Sequence, residues 1–195
     1  RREYLATLHG ETLRLCDMVE NVLAFGRLES KDGAGHKEDA VVGDFVQRLL
    51  PRVEERIAGA GMASSIEIDR DARSARMHVH VTGLEQVILN LVDNACKYAA
   101  GADDKRIHVI VRRTGGAIEF TVRDHGSGID ESDRRRIFRP FYKARRDEAG
   151  TRGGAGLGLA LSRRIAKKNG GTLTCRPAPG GGAQFSLRIR ESRVP

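Results

Sequence analysis

The sequence predicts an α+β fold, a two-layer α/β sandwich in which helices cover one face of a mixed, mostly antiparallel sheet. Three observations carry this prediction. Segments of alternating polarity flank glycine-rich turns, which indicates β-hairpins. Other segments repeat apolar residues every three or four positions, which indicates amphipathic helices. The start of the chain repeats them with heptad-like spacing, which predicts a long N-terminal helix before the sandwich.

The N-terminal helix is predicted over residues 3–29. Its spacing favours a helical hairpin or bundle over a lone surface helix, and the repeating positions are Leu5, Leu8, Thr12, Leu15, Val19 and Val22. Because the pattern is already running at Arg1, we interpret the chain as a piece of a longer protein. We assign residues 1–30 to this helix, 31–37 to a linker of loop-like composition, and 38–192 to a second domain.

The second domain is predicted to begin with a helix and two strands. Apolar residues four apart indicate a helix over 43–58, in which Pro51 should introduce a kink or an irregular turn. Alternating polarity then predicts short strands at 65–69 and 75–81. A capping-box pattern, Thr82 to Glu85, is expected to start the next helix, over 83–99.

The remaining elements complete the sheet and its helical cover. The glycines at 115 and 116 predict a tight turn between two strands of matched alternation. Asn169-Gly170-Gly171 is a typical helix end. In chain order we predict strands at 106–113 and 117–123, a short helix at 131–137, a Gly- and Arg-rich loop at 143–156, a helix at 157–169, and a hairpin of 172–176 with 183–190.

Composition narrows the class of protein. The formal net charge is +8, but the chain has no Trp and only 5% aromatic residues, so platforms for stacking bases are not expected and we predict no nucleic-acid partner. The three cysteines lie far apart without metal or disulfide spacing, which favours a reducing compartment. No apolar run approaches membrane-spanning length.

A polar stripe on the 83–99 helix is the most informative feature. At 100° per residue, Asn90, Asn94 and Lys97 cluster together, opposite an apolar face that contains Leu84, Ile88, Leu91 and Ala95. Amide oxygens can ligate Mg²⁺, and an ammonium can meet phosphate oxygens. The stripe therefore fits a site for a metal-bound phosphate, although a solvated polar face explains it equally when the helix is considered alone.

Two glycine-rich motifs follow. Asp124-His125-Gly126-Ser127-Gly128 ends a strand, where the carboxylate could accept a hydrogen bond from an exocyclic amine such as that of adenine. Gly153 to Gly158 opens directly into a helix, where backbone amides and the helix dipole favour phosphate. An ordinary turn and a flexible linker remain the alternatives. The second motif lacks both the strand–loop–helix context of a dinucleotide fingerprint and the Lys of a P-loop.

Aromatic residues lie between these motifs, in Ile137-Phe138-Arg139-Pro140-Phe141-Tyr142. We expect Phe138 and Phe141 to anchor the root of the following loop by local packing. Arg145, Arg146 and Arg152 lie on that loop. They are either solvated charges or, for one of them, a phosphate contact when the loop closes.

The order and spacing of these elements resemble the histidine kinase family over nearly the whole chain. Residues 90–98 look like its N box, 124–128 the G1 box, 138–141 the F box and 154–158 the G2 box. Residues 3–29 look like the second helix of the dimerisation and phosphotransfer hairpin. Residues 38–192 look like the catalytic domain, which has the Bergerat ATP-binding fold shared with gyrase, Hsp90 and MutL.

The resemblance implies a set of site residues. Asn90 and Asn94 match the paired asparagines that hold Mg²⁺ and the triphosphate, and Lys97 completes the implied catalytic set. Asp124 matches the adenine-reading aspartate, and the loop from Tyr142 to Gly154 matches the ATP lid. The implied nucleotide-binding residues are Asn90, Asn94, Lys97, Tyr98, Asp124, Gly126, Gly128, Ile129, Phe138, Tyr142, Arg152, Gly154, Gly156, Leu157 and Gly158.

The chain departs from the family pattern in two places. The phosphoacceptor motif His-Glu-x-x-x-Pro is absent, and His9 is a poor substitute because Gly10 follows it without a nearby Pro. We therefore expect the first hairpin helix to be missing, so that this piece binds ATP without an internal histidine to phosphorylate. His80 also stands where many relatives have Asp, which should alter local capping but not ATP binding.

Three functions follow from the resemblance. The first is an ATP- and Mg²⁺-dependent protein-histidine kinase of a two-component system, cytoplasmic in location, homodimeric through the hairpin, and a phosphodonor to a response-regulator receiver domain. The second is an ATP-hydrolysing conformational switch of the gyrase–Hsp90–MutL kind, and the third is a non-catalytic nucleotide-binding module. Asn90 argues against the second, because relatives of that kind carry a Glu there and an amide cannot act as the base for water.

Overall fold

The structure is a computed structural model that describes residues 36–144 and 156–192. The predictions for the helix 3–29, for most of the linker 31–37 and for the loop residues 145–155 lie outside the described residues. The elements in chain order are β1 (Glu38–Val41), α1 (Val42–Gly59), β2 (Ala63–Ile68), α2 (Arg70–Arg73), β3 (Arg76–Val79), α3 (Val81–Ala99), β4 (Arg106–Thr114), β5 (Ala117–Arg123), a 3₁₀ helix (Arg136–Phe138), α4 (Gly158–Lys168), β6 (Thr172–Pro177) and β7 (Ala183–Arg190).

Within the described residues, five strands form the main sheet in the order β2-β4-β5-β7-β6. Only the β2–β4 pair is parallel, and the others are antiparallel. A separate antiparallel pair, β1 with β3, lies where the chain enters α1 and α3. The predicted fold class, a mixed and mostly antiparallel sheet with covering helices, is confirmed.

Helix α3 lies at the centre of the helical layer, where it packs against α1, α4 and strand β5. Strand β4 presents Ile107, Val109 and Val111 to the core, while the residues between them are more exposed. From α1, Phe45 meets Phe120 of β5 edge to face, with 5.7 Å between ring centroids. One face of the sheet is therefore buried under helices, as period-two alternation requires.

The two predicted hairpins are confirmed. Thr114 pairs with Ala117 across Gly115 and Gly116, whose φ angles are +56° and +70°. This left-handed pair is the backbone of a tight hairpin turn, and glycine adopts it without steric cost. The second hairpin pairs β6 with β7 and is closed by the Pro177–Ala183 pair.

Helix α1 runs unbroken from Val42 to Gly59 with Pro51 inside it, so the irregular turn expected as one effect of the proline is wrong, and the kink stays a prediction. Buried side chains on both sides of the proline, among them Leu49 and Val53, keep one apolar stripe on the core. Burial of this stripe outweighs the one backbone hydrogen bond that Pro51 cannot donate.

The capping-box prediction is also wrong. Helix α3 begins at Val81 with His80 at the N-cap, and no side chain caps it. The backbone N–H of His80 instead donates to Asn169 Oδ1 at 2.7 Å, from the far end of α4. Asn169 is itself held by donating its Nδ2 to the carbonyl of Ile165. A tertiary contact thus takes the place of the local cap.

Three local features differ from the sequence prediction. The predicted helix at 131–137 is a series of turns that ends in the 3₁₀ helix, because the N–H groups of Asp133 and Arg134 both reach the carbonyl of Asp130. Strand β1 and helix α2 were not predicted. Each has four residues, which is too short for a periodic pattern to indicate it.

Candidate functional site

The polar stripe of α3 is half buried at the edge of the core. Asn90, Asn94 and Lys97 are all of intermediate exposure, whereas Gln86 and Asp93 on the same helix are exposed. The stripe is therefore not the fully solvated face that sequence reasoning left open. At Asn90 the stripe meets α4, the helix that packs beside α3.

Asn90 is held in one orientation by α4. Its Nδ2 donates to Ser162 Oγ at 2.9 Å, and Ser162 is only 2% exposed. Its Oδ1 then faces the backbone of Gly158, so closely that a Cβ built on Gly158 would overlap it. The missing side chain at Gly158 is a recess into which an amide oxygen points, and an oxygen of this kind suits a hard divalent cation.

The rest of the stripe offers an amide and a cation. Within residues 36–144 and 156–192, the Asn94 side chain makes no hydrogen bond, so its amide is uncommitted. Lys97 donates to the Tyr98 hydroxyl at 3.4 Å, and its Nζ lies 4.8 Å from the centroid of that ring. Tyr98 thus gives the ammonium a polar and aromatic neighbour at the end of α3.

Asp124 follows β5 and is 2% exposed. Its Oδ1 accepts hydrogen bonds from the backbone N–H of Gly126 at 2.8 Å and of Ala183 at 3.1 Å. Burial raises the pKa of the Asp124 carboxyl, and these two donors oppose that rise. Within residues 36–144 and 156–192 no donor reaches the second oxygen, which leaves it as an acceptor for a ligand.

The first glycine motif brings Asp124 against the end of α3. A Cβ on Gly126 would collide with the carbonyl of Tyr98, and Gly128 has φ +70° with an ideal Cβ only 3.0 Å from the oxygen of Gly182. Glycine is therefore required at both positions by close backbone approach. These contacts join the Asp124 turn, α3 and the final hairpin.

The aromatic segment divides into buried and exposed side chains. Phe138 is buried and meets Phe185 of β7 edge to face at 6.4 Å, with the guanidinium of Arg163 5.1 Å from its ring centroid. Phe141 is 73% exposed at φ +61°, so the expectation that its ring anchors the loop root by packing is wrong. The backbone N–H of Phe141 instead joins this segment to the second glycine motif, because it donates to the Gly156 carbonyl at 3.0 Å.

The remaining predicted residues fall in two groups. Tyr142 is half buried and donates its hydroxyl to Asp133 Oδ1 at 2.7 Å, while Ile129 packs against the core and Leu157 is buried just before α4. Arg152 and Gly154 lie outside the described residues, as do Arg145 and Arg146.

Sequence reasoning missed the residues that hold this site in place. They are Ser162, which fixes Asn90, Ala183, which donates to Asp124, and Asp133, which accepts from Tyr142. Ser162 lies four residues after Gly158 and so shares its helix face, which is the one signal that could have found it. Ala183 reaches Asp124 from 59 residues away, and Asp133 lies nine residues from Tyr142 in a turn-rich segment without a periodic pattern, so no local motif indicates either contact.

A pair of histidines lies beside the Asp124 turn. His108 Nε2 and His125 Nε2 are 3.0 Å apart, and Asp104 Oδ2 is 3.6 Å from His125. Burial, then the charge of Arg123, lowers the pKa of His108. Hydrogen bonds from Arg106 hold the pKa of the Asp104 carboxyl well below its usual range.

Among the described residues, no group of three or more His, Cys, Asp or Glu side chains is arranged to hold a metal ion. A cation at this site would therefore take amide oxygens from the protein and further oxygens from a bound phosphate or from water. Asn90 Oδ1, the amide oxygen that lies against Gly158, would be one such ligand.

The profile of the family described as histidine kinase-, DNA gyrase B- and HSP90-like ATPases matches residues 79–193, more than half of the chain. The chain therefore belongs to this family. Its matched region contains both glycine motifs, the α3 stripe and the aromatic segment.

Relatives within the family are sensor kinases. The sensor-like histidine kinase SenX3 of Mycolicibacterium smegmatis is 31% identical over 97% of this chain and 48% of its own length. The alginate biosynthesis sensor protein KinB of Pseudomonas aeruginosa is 31% identical over 96% of this chain and 30% of its own length. The chain is thus similar to part of these sensor kinases, and it spans half or less of their length.

Solved structures agree with the fold. Full-length ShkA in complex with AMPPNP matches 99% of this chain and 39% of its own, with a TM-score of 0.75 and 24% identity. The nucleotide-free catalytic domain of the histidine kinase ThkA matches 80% of this chain and 97% of its own, with a TM-score of 0.66 and 22% identity.

Among the described residues, no helix has both the length and the apolar character needed to cross a bilayer.

Proposed function

We propose that this region binds Mg²⁺-ATP between α3 and α4 and transfers the γ-phosphoryl group to a histidine of a helical hairpin, for relay to a response-regulator aspartate. The observation that carries the proposal is Asn90, a neutral amide that Ser162 fixes and whose oxygen lies against Gly158, the first residue of α4. An amide can orient a ligand but cannot accept a proton from water. The site is therefore better suited to holding ATP for an acceptor than to hydrolysing it.

The adenine end of the site is proposed at Asp124. Its free carboxylate oxygen would accept from the exocyclic amine, while Oδ1 stays bonded to the Gly126 and Ala183 amides. The close approach at Gly126 and Gly128 leaves backbone rather than side chains beside the base. Ile129 packs on the core next to this turn and supplies an apolar neighbour.

The phosphate end is proposed at the start of α4. Gly156, Leu157 and Gly158 precede or begin that helix, whose first turn carries no acidic residue, so its amides and dipole favour an anion. Lys97 adds a positive charge from α3. Asn90 and Asn94 would hold Mg²⁺, which when bound supplies charge neutralisation to the phosphates. The protein's own contribution is then orientation of the triphosphate and stabilisation of negative charge during transfer.

The larger assembly is also a proposal. Residues 1–30 would form the second helix of a dimerisation hairpin and 31–37 a linker, with the catalytic domain at 38–192. The full protein would act as a homodimer in the cytoplasm, as part of a sensor that could be membrane-anchored, with a receiver domain as partner. The sensor kinases among the relatives support this arrangement.

A transfer assay separates the candidate functions. The chain is mixed with ATP labelled at the γ-phosphate, Mg²⁺ and a separate hairpin fragment that carries the acceptor histidine. We expect acid-labile, alkali-stable label on the hairpin, and none on the chain alone because it has no acceptor motif. Free labelled phosphate without labelled hairpin would instead indicate an ATPase switch. Binding of ATP without either product would indicate a non-catalytic module.

A further inference from the structure

A buried carboxylate lies between the two glycine motifs. Asp133 is only 5% exposed, although it belongs to a turn-rich surface segment. Its N–H donates to the carbonyl of Asp130, and its own carbonyl accepts from Arg136 and Ile137. The backbone of this turn is thus firmly hydrogen-bonded, and it follows directly on the Asp124–Gly128 motif. A buried carboxylate requires a partner for its side chain as well.

That partner is Tyr142, at the other end of the aromatic segment. Its hydroxyl donates to Asp133 Oδ1 at 2.7 Å. The guanidinium of Arg136 lies 4.8 Å from the ring centroid, and the Tyr142 N–H donates to the carbonyl of Arg139. Tyr142 is therefore held by the hydrogen bond of its hydroxyl, by the guanidinium near its ring and by the hydrogen bond of its backbone N–H.

Tyr142 is in turn packed against the second glycine motif. A Cβ built on Gly156 would lie 2.9 Å from the carbonyl oxygen of Tyr142, and the neighbouring Phe141 N–H donates to Gly156. Two residues further on, Gly158 faces Asn90 Oδ1. A continuous set of contacts therefore runs from Asp133 through Tyr142 and Gly156 to the Asn90 recess.

We propose that Asp133 is a positioning residue for nucleotide binding, which acts through Tyr142 to hold Gly156–Gly158, the described part of the second glycine motif, in place relative to the first motif. It does not touch the nucleotide. It sets the distance between the end of the site that reads the base and the end that receives the phosphates. The inference rests on the proposed nucleotide site, and it adds a residue outside every motif that the sequence indicates.

Nucleotide binding to the full chain tests the pair, with Mg²⁺-AMPPNP as the probe in a calorimetric titration. Tyr142→Phe removes only the hydroxyl, and Asp133→Ala removes the acceptor. We expect each to raise the dissociation constant about two- to tenfold, the effect of one lost hydrogen bond. Asp133→Asn, which keeps an acceptor oxygen, should bind close to the wild type. The Tyr142→Phe/Asp133→Ala double variant should be no weaker than the worse single variant.

A matched control separates positioning from loss of stability. Ile57→Val on α1 lowers core packing away from the site, and it should reduce thermal stability without changing the dissociation constant. If Tyr142→Phe binds as the wild type does, or if the two substitutions add independently, the inference is overturned.

Amide hydrogen exchange in the nucleotide-free protein gives a second readout. The Phe141 amide, bonded to Gly156, should exchange several-fold faster in Tyr142→Phe and at the wild-type rate in Asp133→Asn. Unchanged exchange in Tyr142→Phe would overturn the positioning role. A wild-type chain that binds no Mg²⁺-AMPPNP would contradict the proposed function, and exchange would still decide whether Asp133 holds this glycine motif.

Discussion

At the scale of single residues, burial of the Asp124 carboxylate destabilises the fold but places a hydrogen-bond acceptor in the candidate site. Its carboxylate is 2% exposed, and burial raises its pKa. Two backbone donors reach one oxygen, which reduces the cost of burying the charge but leaves the second oxygen without a donor from the described residues. Such a group is expected where a ligand completes the hydrogen bonding.

Asp124→Asn should therefore separate stability from binding. The amide keeps an oxygen for the Gly126 and Ala183 donors but removes the buried charge. We expect the free energy of unfolding without ligand to rise by about 1 kcal/mol, and the affinity for ATP to fall at least about tenfold. Denaturant unfolding and calorimetry measure the two quantities. Unchanged ATP affinity would show that Asp124 does not read the base.

Asn94 makes no side-chain hydrogen bond to any residue that the structure describes, so its removal should affect ligand binding more than folding. Asn94→Ala is expected to abolish Mg²⁺-ATP binding or phosphoryl transfer while thermal unfolding changes little. Gln86→Ala, at an exposed amide on the same helix, is the matched control and should behave as the wild type. Transfer at the wild-type rate by Asn94→Ala would contradict the site assignment.

At the scale of elements, the recess depends on how closely α3 and α4 approach. Gly158, the first residue of α4, permits Asn90 Oδ1 to lie against the helix backbone, and Ser162 one turn later fixes the amide. Any side chain at Gly158 must displace Asn90 or separate the helices. The geometry of the site is therefore a property of the helix pair rather than of either helix alone.

Gly158→Ala should consequently weaken ATP binding by about tenfold or more through displacement of Asn90. The matched control is Gly59→Ala at the end of α1, where an added Cβ meets nothing within 4 Å. That change should leave binding unaltered and stabilise slightly, because it reduces the entropy of the unfolded chain. Equal ATP affinities for the two variants would argue against the recess as the metal and phosphate end.

At the scale of the whole molecule, two histidines make stability depend on pH. Burial, then the charge of Lys37, lowers the pKa of His80, and burial, then Arg123, lowers that of His108. The Nδ1 of His80 is buried without a hydrogen-bond partner among the described residues. Both rings are therefore favoured in the neutral form in the folded chain.

As the pH falls, His80 and His108 bind protons near pH 6.5 in the unfolded chain. In the folded chain they bind protons only at lower pH, because their pKa values are lowered. Protonation thus favours unfolding, and we expect the free energy of unfolding to decline from about pH 6.5 downward until the lowered pKa values are passed. Denaturant unfolding between pH 5 and 8 measures this slope. His80→Gln with His108→Gln should flatten it. An unchanged slope in the double variant would contradict this origin.

Much of the fold was predictable because its signals are local. The Gly115-Gly116 turn, the end of α4 at Asn169 and the alternation along β4 and β5 each lie within a few residues. Strand β1 and helix α2 were missed because they are too short for a periodic pattern, and two other failures occurred where distant groups intervened. Burial of the stripe of α1 keeps the helix intact through Pro51, and Asn169 caps α3 in place of its own Thr82.

The amino-acid sequence by itself determined the fold class, the two hairpins and the order of the motifs, because periodicity and glycine placement act over one or two turns of chain. It also supplied the site hypothesis, since the α3 stripe and each glycine motif lie within a short segment of sequence. Only the tertiary structure decided which groups hold them: Ser162 on Asn90, Ala183 on Asp124 and Asp133 on Tyr142. The reason is physical, since the first two contacts join different elements and all three require the packed chain to bring donor and acceptor within hydrogen-bond distance.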